Sequence, residues 1–210
     1  MINFSNRTPS YFPYISVLVS LLLLIFLTFT QFTIYRPQIM ELYAIQTKDY
    51  WMLIRQQPIE IFRLLTALFL HGNLVHWVIN YSIFVLLAFS IEKVISGQKF
   101  LLVFLIAGIV GNLFASFFLQ DQDTVLIGAS GAVSGLIGYW LVLFPHKKIN
   151  FILPIGLYLQ KTSMPIAVVI VLWLLVQIIL QFQPHPSYDI AWISHIIGFV
   201  TGFVLAWFIK

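Results

Sequence analysis

Long apolar runs separated by short polar segments dominate the sequence. A helix needs about 20 mostly apolar residues to cross a bilayer, since it rises 1.5 Å per residue and the hydrocarbon core is about 30 Å thick. The pattern predicts six spans, at Tyr14–Phe32, Leu74–Ile91, Phe100–Leu119, Ser130–Phe144, Pro165–Phe182 and Ala191–Ile209. The first run follows Arg7, but it is longer than the apolar part of a signal peptide and no small-residue cleavage site follows it. We therefore interpret it as a retained span.

The composition excludes the water-soluble classes of protein. Hydrophobic residues make up 60% of the 210 residues and charged residues only 9%, whereas a soluble domain carries about 25% charge. The net charge of +4 is not gathered on a basic face, so no nucleic-acid partner is expected. The chain has no cysteine and therefore no disulfide or thiolate metal site. The sequence predicts an all-α membrane protein, with residues 1–210 forming one domain in the lipid bilayer.

The distribution of Lys and Arg predicts the orientation. With a cytoplasmic N-terminus, most of these residues lie on the cytoplasmic side: Arg7, Lys93, Lys99, Lys147, Lys148, Lys161 and Lys210. The others lie in the first loop, which runs from about Thr33 to Leu70: Arg36, Lys48, Arg55 and Arg63. Because cytoplasmic loops carry the excess of Lys and Arg, both termini are expected in the cytoplasm. The first loop is rich in Trp, Tyr and aliphatic residues, so we expect it along the outer interface.

Four polar side chains inside the predicted spans share one depth. Measured from the cytoplasmic ends of their helices, Ser130, His195, His76 and Asn80 lie roughly 18–24 Å above the cytoplasmic edge of the core. His76 and Asn80 also share a helix face, since they are four residues apart. Polar groups within a membrane are costly and usually have a function.

Serine and histidine together are the minimum for an activated hydroxyl nucleophile, because the imidazole removes the proton as the oxygen attacks. Asp189 lies about 9 Å along the helix from His195 and is a poor orienting partner, so the pattern predicts a Ser130–His195 dyad. Asn80 and His76 could donate hydrogen bonds to an oxyanion, as acyl transfer requires.

Small residues favour close contact between the fourth and sixth spans. They are Gly128, Gly131, Gly135 and Gly138 on the fourth, and Gly198 and Gly202 on the sixth. Such contact is expected to bring Ser130 and His195 within hydrogen-bonding range.

Each feature also has a structural interpretation. The Gly-Ala-Ser-Gly segment is typical of helix packing, His195 of a core histidine or a proton relay, and His76 and Asn80 of interhelical hydrogen bonding. Asn112, Gln177 and Ser194 have no comparable partners and are assigned to packing or interhelical hydrogen bonding. The alternative function is therefore a non-proteolytic membrane chaperone, a small transporter or a proton pathway. The shared depth of four residues on three spans favours the catalytic interpretation.

The same residues form motifs that resemble those of the rhomboid family of intramembrane serine proteases. Gly128-Ala129-Ser130-Gly131 resembles the family's GxSG, and Ser194-His195-Ile196-Ile197-Gly198 with Gly202 resembles its (A/S)HxxGxxxG. The segment from His71 through His76 to Asn80 resembles HxxxxHxxxN, and Arg63 with Thr66 resembles the first-loop Trp-Arg motif. The motifs extend from about Glu60 to Gly202 in the family's order.

The resemblance implies a role for each matching residue. Ser130 would be the nucleophile, His195 the general base, and His76 and Asn80 the oxyanion hole together with the Ser130 backbone N–H. Supporting roles would belong to the remaining motif residues: Gly128 at the substrate, Gly131, Gly198 and Gly202 in helix packing, His71 in a polar network, and Arg63 and Glu92 as structural ties.

The resemblance further implies a six-helix rhomboid-like bundle that cleaves transmembrane segments of other membrane proteins near the outer face, without metal, nucleotide or other cofactor. Its expected partners are transmembrane protein substrates and the bilayer, and its expected location is a prokaryotic plasma membrane. The sequence predicts no oligomeric state. Two positions depart from the family: Phe62 replaces the usual Trp, and Ser134 stands where many members carry an aromatic ring against the catalytic imidazole. Trp192 or Trp140 could replace that ring.

Overall fold

The computed structural model describes residues 12–155, 158–182 and 191–209, and most of them are helical. The α-helices are α1 (Tyr14–Phe32), α2 (Arg36–Tyr43), α3 (Tyr50–Gln56), α4 (Arg63–Thr66), α5 (Leu74–Ile95), α6 (Gly97–Phe118), α7 (Ser130–Leu143), α8 (Ile166–Gln181) and α9 (Trp192–Phe208). The strands are β1 (Ile45–Gln46), β2 (Val125–Leu126), β3 (Lys148–Ile155) and β4 (Tyr158–Pro165), and two 3₁₀ turns cover Pro58–Phe62 and Ala67–Phe69.

An apolar helix occupies each of the six segments that the sequence predicted to span the membrane. By length and composition, α1, α5 and α6 can cross a bilayer, whereas α7, α8 and α9 are shorter apolar helices. The boundary between α5 and α6 differs from the prediction: α5 continues to Ile95 and α6 begins at Gly97. The connection is Ser96 alone, with a positive φ of 84°. The prediction ended the helix before Glu92, but this residue is buried inside it.

Helix α7 lies at the centre of the bundle and packs against α5, α6 and α9. Its Leu136 and Tyr139 are fully buried and share a core with Phe84 of α5, Phe104 of α6 and Leu23 of α1. These side chains are large and apolar, so their burial holds the helices together by packing. The centre of the molecule therefore contains the helix that begins at Ser130.

Glycines bring α7 and α9 into backbone contact. A side chain at Gly198 would collide with the carbonyl of Gly131, and one at Gly202 with the carbonyl of Gly135. Gly138 lies in the same way against the carbonyl of Phe199. The predicted close contact between these two helices is confirmed.

The all-α prediction requires one correction, because the described residues include four strands. β1 and β2 form a short antiparallel pair with Ile45 opposite Leu126. β3 and β4 form an antiparallel hairpin from Lys148↔Pro165 to Ile155↔Tyr158. The β3 sequence, KINFILPI, contains β-branched and aromatic residues that suit a strand.

The first loop is folded rather than extended. Tyr50 is buried, and its hydroxyl donates a hydrogen bond to the carbonyl of Glu60 at 2.9 Å. Together with Ile45 and Leu64, it packs against Ala115 of α6. The loop thus has a small core of its own, while its position at the outer interface stays a prediction.

Candidate active site

The first loop holds the segment that leads into α7. The N–H of Gly128 donates to the carbonyl of Ala67 at 2.8 Å, and β2 pairs with β1 just before it. Gly128 has a φ of 116°, a conformation that residues with a Cβ rarely adopt. This backbone path turns the chain so that α7 begins at Ser130.

Ser130 is the first residue of α7, and its side chain is partly exposed. The first amides of a helix have no partner within the helix, so they are free to bind an anion. Within the described part of the chain, the Ser130 hydroxyl makes no hydrogen bond, while its carbonyl accepts one from the Ser134 hydroxyl at 2.7 Å. The candidate nucleophile is therefore accessible and beside potential oxyanion donors.

His195 lies on α9 at the level of Ser130. The chain neighbours of the two residues touch: a methyl group on Gly131 would lie 2.6 Å from the Ser194 hydroxyl oxygen. The described residues include no hydrogen bond between Ser130 and His195. Such bonds are often long or poorly aligned without substrate and tighten in the reacting complex. The structure thus brings the two residues to one level of the α7–α9 contact without joining them directly.

Two other side chains hold the imidazole of His195. Its Nδ1–H donates a hydrogen bond to Oε1 of Gln177 on α8 at 2.7 Å. The ring of Trp192 lies edge-on to it, with centroids 5.6 Å apart and an angle of 88° between the planes.

The contact between Gln177 and His195 was not predicted from the sequence. Gln177 had been assigned to packing or interhelical hydrogen bonding, and that assignment was incomplete because its partner is the candidate base. A polar amide within an apolar span was the available signal. Only the fold identifies its partner.

His76 and Asn80 face the loop before Ser130. A methyl group on Gly128 would lie 2.8 Å from Cε1 and 2.9 Å from Nε2 of His76, and 3.7 Å from Nδ2 of Asn80. Nδ2 of Asn80 is buried and has no hydrogen-bond partner among the described residues. Buried polar groups are nearly always paired in native proteins, so a buried amide donor with no acceptor among the described residues is unusual and needs an explanation.

His71 lies beside this group, just before α5. It is buried, and its ring lies edge-on to that of His76 with centroids 5.3 Å apart. Burial lowers the pKa of His71 to about 3, and the charge that His76 can carry lowers it too. His71 is therefore neutral at physiological pH. Its carbonyl accepts a hydrogen bond from the Gln31 side chain at 3.0 Å, which ties this turn to α1.

Arg63 and Glu92 lie in other parts of the structure and make tertiary contacts. Arg63 donates to the carbonyl of Ala44 at 3.0 Å, within the first loop. The carboxylate of Glu92 accepts hydrogen bonds from the backbone N–H groups of Ile15 at 3.1 Å and Ser16 at 2.6 Å. It therefore binds the first turn of α1, where an anion is favourable.

The structure distinguishes Trp192 from Trp140, the two candidates for the aromatic ring that is missing at Ser134. Trp192 contacts His195, whereas the indole N–H of Trp140 donates to the Ser90 hydroxyl at 3.0 Å. Phe62, at the other departure from the family, is exposed. Asp189, considered as an orienting acid, lies outside the described residues.

The site therefore combines a hydroxyl at a helix N-terminus, an imidazole held through Nδ1, and an amide donor, and neither the hydroxyl nor the amide donor has a hydrogen-bond partner among the described residues. Acyl transfer requires a nucleophile, a base and donors for the oxyanion. This set of groups can supply all three.

Comparisons with known proteins identify the family of the chain. The family model described as Rhomboid domain matches residues 58–210. The rhomboid-family protein YdcA of Bacillus subtilis (strain 168) is 30% identical over 149 residues, which cover 70% of this chain and 66% of that protein. RHOMBOID-like protein 4 of Arabidopsis thaliana is 32% identical over 146 residues, covering 70% of this chain and 33% of that protein.

A third relative carries a different description. Inactive rhomboid protein 2 of Homo sapiens is 27% identical over 149 residues, which cover 71% of this chain and 16% of that protein. The chain therefore spans between a sixth and two thirds of the length of these three relatives. Family membership and the apolar helices indicate an integral membrane protein. The chain belongs to the rhomboid family.

Proposed function

We propose that the protein is an intramembrane serine endopeptidase that hydrolyses peptide bonds in or near transmembrane segments. Ser130 is its nucleophile and His195 its general base. One observation carries the proposal: the Asn80 amide, which has no hydrogen-bond partner among the described residues, lies beside Gly128, two residues before Ser130 in the chain. An amide in that place has a clear use when an oxyanion forms there.

In the first half of the reaction, the Ser130 hydroxyl oxygen attacks the scissile carbonyl carbon while Nε2 of His195 accepts the hydroxyl proton. The carbonyl oxygen becomes an oxyanion, which the Asn80 amide, His76 and the Ser130 backbone N–H stabilise. When the C–N bond breaks, His195 gives its proton to the leaving amine and the acyl group stays on Ser130. Water then attacks the ester, His195 accepts a proton from it, and Ser130 recovers that proton as the acid product leaves.

The surroundings of the site support a membrane substrate. Both dyad residues lie on apolar helices, and the bundle exposes many large apolar side chains. We propose six membrane spans with both termini in the cytoplasm of a prokaryotic cell, and a site that opens toward the outer side. The substrate is a membrane protein whose transmembrane helix unwinds easily near that side, because an intact helix hides its carbonyls from attack.

The resemblance to an inactive rhomboid protein makes a non-proteolytic membrane chaperone the second candidate. Such a protein needs no activated serine. The two functions therefore differ in the chemistry of Ser130 and not in the fold.

The deciding experiment labels the purified protein in detergent with a fluorophosphonate probe. We expect wild type to be labelled, Ser130→Ala to be unlabelled and His195→Ala to be labelled far more slowly. Ser134→Ala is the matched control: it removes a neighbouring serine hydroxyl, one turn along the same helix, and should keep the labelling. A folded wild type that stays unlabelled beside an active rhomboid protease would support the chaperone instead.

Cleavage assays then test the substrate class. Reconstituted wild type should cut a single-span protein within or near its transmembrane segment, and a variant of that substrate with helix-breaking residues near the outer end should be cut faster. Cleavage of soluble peptides alone, with the transmembrane substrate refused, would contradict this part of the proposal.

A further inference from the structure

The hydrogen bond between Gln177 and His195 is the contact of the candidate base that the proposed mechanism leaves unexplained. It joins α8 to α9 at 2.7 Å. Gln177 is buried, whereas its chain neighbours Val176 and Ile178 are exposed apolar residues. Its amide is thus turned into the bundle on a helix whose exposed side chains are apolar. A polar group in such a place needs a partner.

The direction of this bond follows from the amide atom that faces Nδ1, which is Oε1 of Gln177. An amide oxygen only accepts, so Nδ1 of His195 carries the hydrogen. The neutral ring has a single N–H, and Nε2 therefore keeps its lone pair. That nitrogen is the one that must accept the Ser130 proton. Without the bond, the ring could place its hydrogen on Nε2 and could not act as a base toward Ser130.

We propose that Gln177 is a positioning residue that completes the Ser130–His195 dyad as the third member of a triad. This inference rests on the proposed protease function. Gln177 holds the orientation and the tautomer of His195, the role that an aspartate has in many serine proteases. When His195 gains a proton, the bond to Gln177 becomes charge-assisted and stronger. A neutral amide does this without placing a permanent charge in the apolar bundle.

The other described elements around the ring contribute few titratable groups. α8 contributes none, α7 only Tyr139 and α6 only Lys99. Among the described residues, His76 on α5 is a titratable group whose charge influences His195. Because Gln177 does not carry a charge, its removal leaves the electrostatic influence of His76 in place. A change in the pH dependence on mutating Gln177 therefore reports the hydrogen bond.

The test compares the rate of fluorophosphonate labelling between pH 5 and 9 for wild type, Gln177→Leu and Gln177→Glu. Leucine has a similar size and no hydrogen-bond acceptor. The labelling rate of Gln177→Leu on the plateau of the pH–rate profile should therefore fall roughly 10- to 100-fold, the range for one hydrogen bond to a group that becomes charged. The acid limb of this profile should move to lower pH, because the protonated ring has lost its acceptor. Glutamate keeps the acceptor oxygen and should recover most of the rate, with an acid limb at or above the wild-type pH.

Asn112→Leu is the matched control. Asn112 is a buried amide on α6 that donates to the carbonyl of Leu64 at 3.0 Å and, among the described residues, makes no hydrogen bond to His195. This variant should lose thermal stability as Gln177→Leu does, but keep the wild-type acid limb. If labelling slows by the same factor in both variants and both keep the wild-type acid limb, Gln177 has only a structural role and the inference is wrong.

A spectroscopic measurement tests the hydrogen bond independently of activity. In ¹⁵N NMR spectra of the protein in micelles, with His195 assigned through His195→Ala, the wild-type ring should show a protonated Nδ1 and an unprotonated Nε2 at pH 8. Gln177→Leu should shift the ring toward the other tautomer. A wild-type ring with its hydrogen on Nε2 would overturn the inference even if Ser130 is labelled. An unlabelled wild type with the expected tautomer would overturn the protease function, and with it the triad, but not the bond.

Discussion

The helices at the centre of the bundle and those at its edge are held by different kinds of contact. At the centre, α7 and α9 meet backbone to backbone at Gly131, Gly135, Gly198 and Gly202. At the edge, α1 and α8 expose large apolar side chains, among them Leu18, Leu21, Ile25, Leu172, Leu175 and Ile179. Buried polar side chains tie both edge helices to the centre. Glu92 binds the first turn of α1, and Gln177 binds α8 to His195.

This difference separates the helices whose mutual distance must be exact from those that need only be attached to the bundle. Two backbones in contact cannot shift without a clash, so the glycines set the distance between the helices that carry Ser130 and His195. At the edge, a polar side chain adds one bond between two helices, and the exposed apolar surfaces of α1 and α8 are left to the lipid. Mutations at the centre should therefore affect folding, whereas mutations at the edge should remove one bond each.

The largest effect is expected from Gly202→Val at the centre. A side chain there collides with the backbone of Gly135, and a backbone cannot move aside as a flexible side chain can. We expect a loss of at least about 3 kcal/mol, since overpacking of a core costs about 1–3 kcal/mol or more. Thermal unfolding in detergent and the yield of folded protein measure it.

The control for the centre lies on the same helix. Val204 is exposed on α9, so Val204→Leu adds volume toward the lipid and should leave the unfolding temperature unchanged. Equal stability of Gly202→Val and Val204→Leu would contradict the importance of the glycine contact.

The next largest effect concerns activity. Asn80→Ala should slow labelling and cleavage about 10²- to 10³-fold, the cost of losing one oxyanion donor. Because Nδ2 of Asn80 has no hydrogen-bond partner among the described residues, the variant should lose little stability. Asn112→Ala is the counterpart: it removes a paired amide and should lower the unfolding temperature while labelling continues. If Asn80→Ala instead lowered the unfolding temperature and kept the wild-type labelling rate, Asn80 would be a structural residue.

The centre of the molecule was largely predictable from the sequence. Glycines three and four residues apart lie on one helix face, so their spacing alone predicted the contact between α7 and α9. The common depth of Ser130, His195, His76 and Asn80 followed from counting residues along helices of known rise. Both inferences depend on regular geometry within single helices, which a sequence records directly.

The edge was less predictable because its contacts join residues far apart in the chain. The resemblance implied that Glu92 is a structural tie but did not identify its partners, Ile15 and Ser16, which lie 77 and 76 residues away. Gln177 was recognised as polar but not as the partner of His195. The hairpin of β3 and β4 was also missed, because its apolar residues form no run long enough to cross a membrane. In each case the missing information was the identity of a neighbour in space.

Glu92→Gln tests one edge contact and should have an intermediate effect. The glutamine keeps one acceptor oxygen but places an amide group against the other backbone N–H. We expect a loss of about 1.5–3 kcal/mol in the free energy of unfolding, the range for hydrogen bonds to a charged group. Lys93→Gln is the control, because Lys93 is the exposed next residue. The folded fraction of Glu92→Gln should be labelled at the wild-type rate, and a slower rate would show that this contact also affects the site.

The smallest effect is expected from Tyr50→Phe in the first loop. At neutral pH the variant loses only the hydrogen bond to Glu60, worth about 1 kcal/mol, and Tyr43→Phe, at an exposed tyrosine, should lose less.

Unfolding measured at alkaline pH gives a more specific test of the burial of Tyr50. Burial raises the pKa of Tyr50 to about 12, so the unfolded chain releases this proton near pH 10 while the folded chain retains it. Wild type should therefore lose stability as the pH rises from 10 toward 12, and Tyr50→Phe should lose less over the same interval. Parallel pH curves for the two proteins would show that the loop opens too readily to keep Tyr50 from water, and so that the first loop belongs with the loosely attached edge.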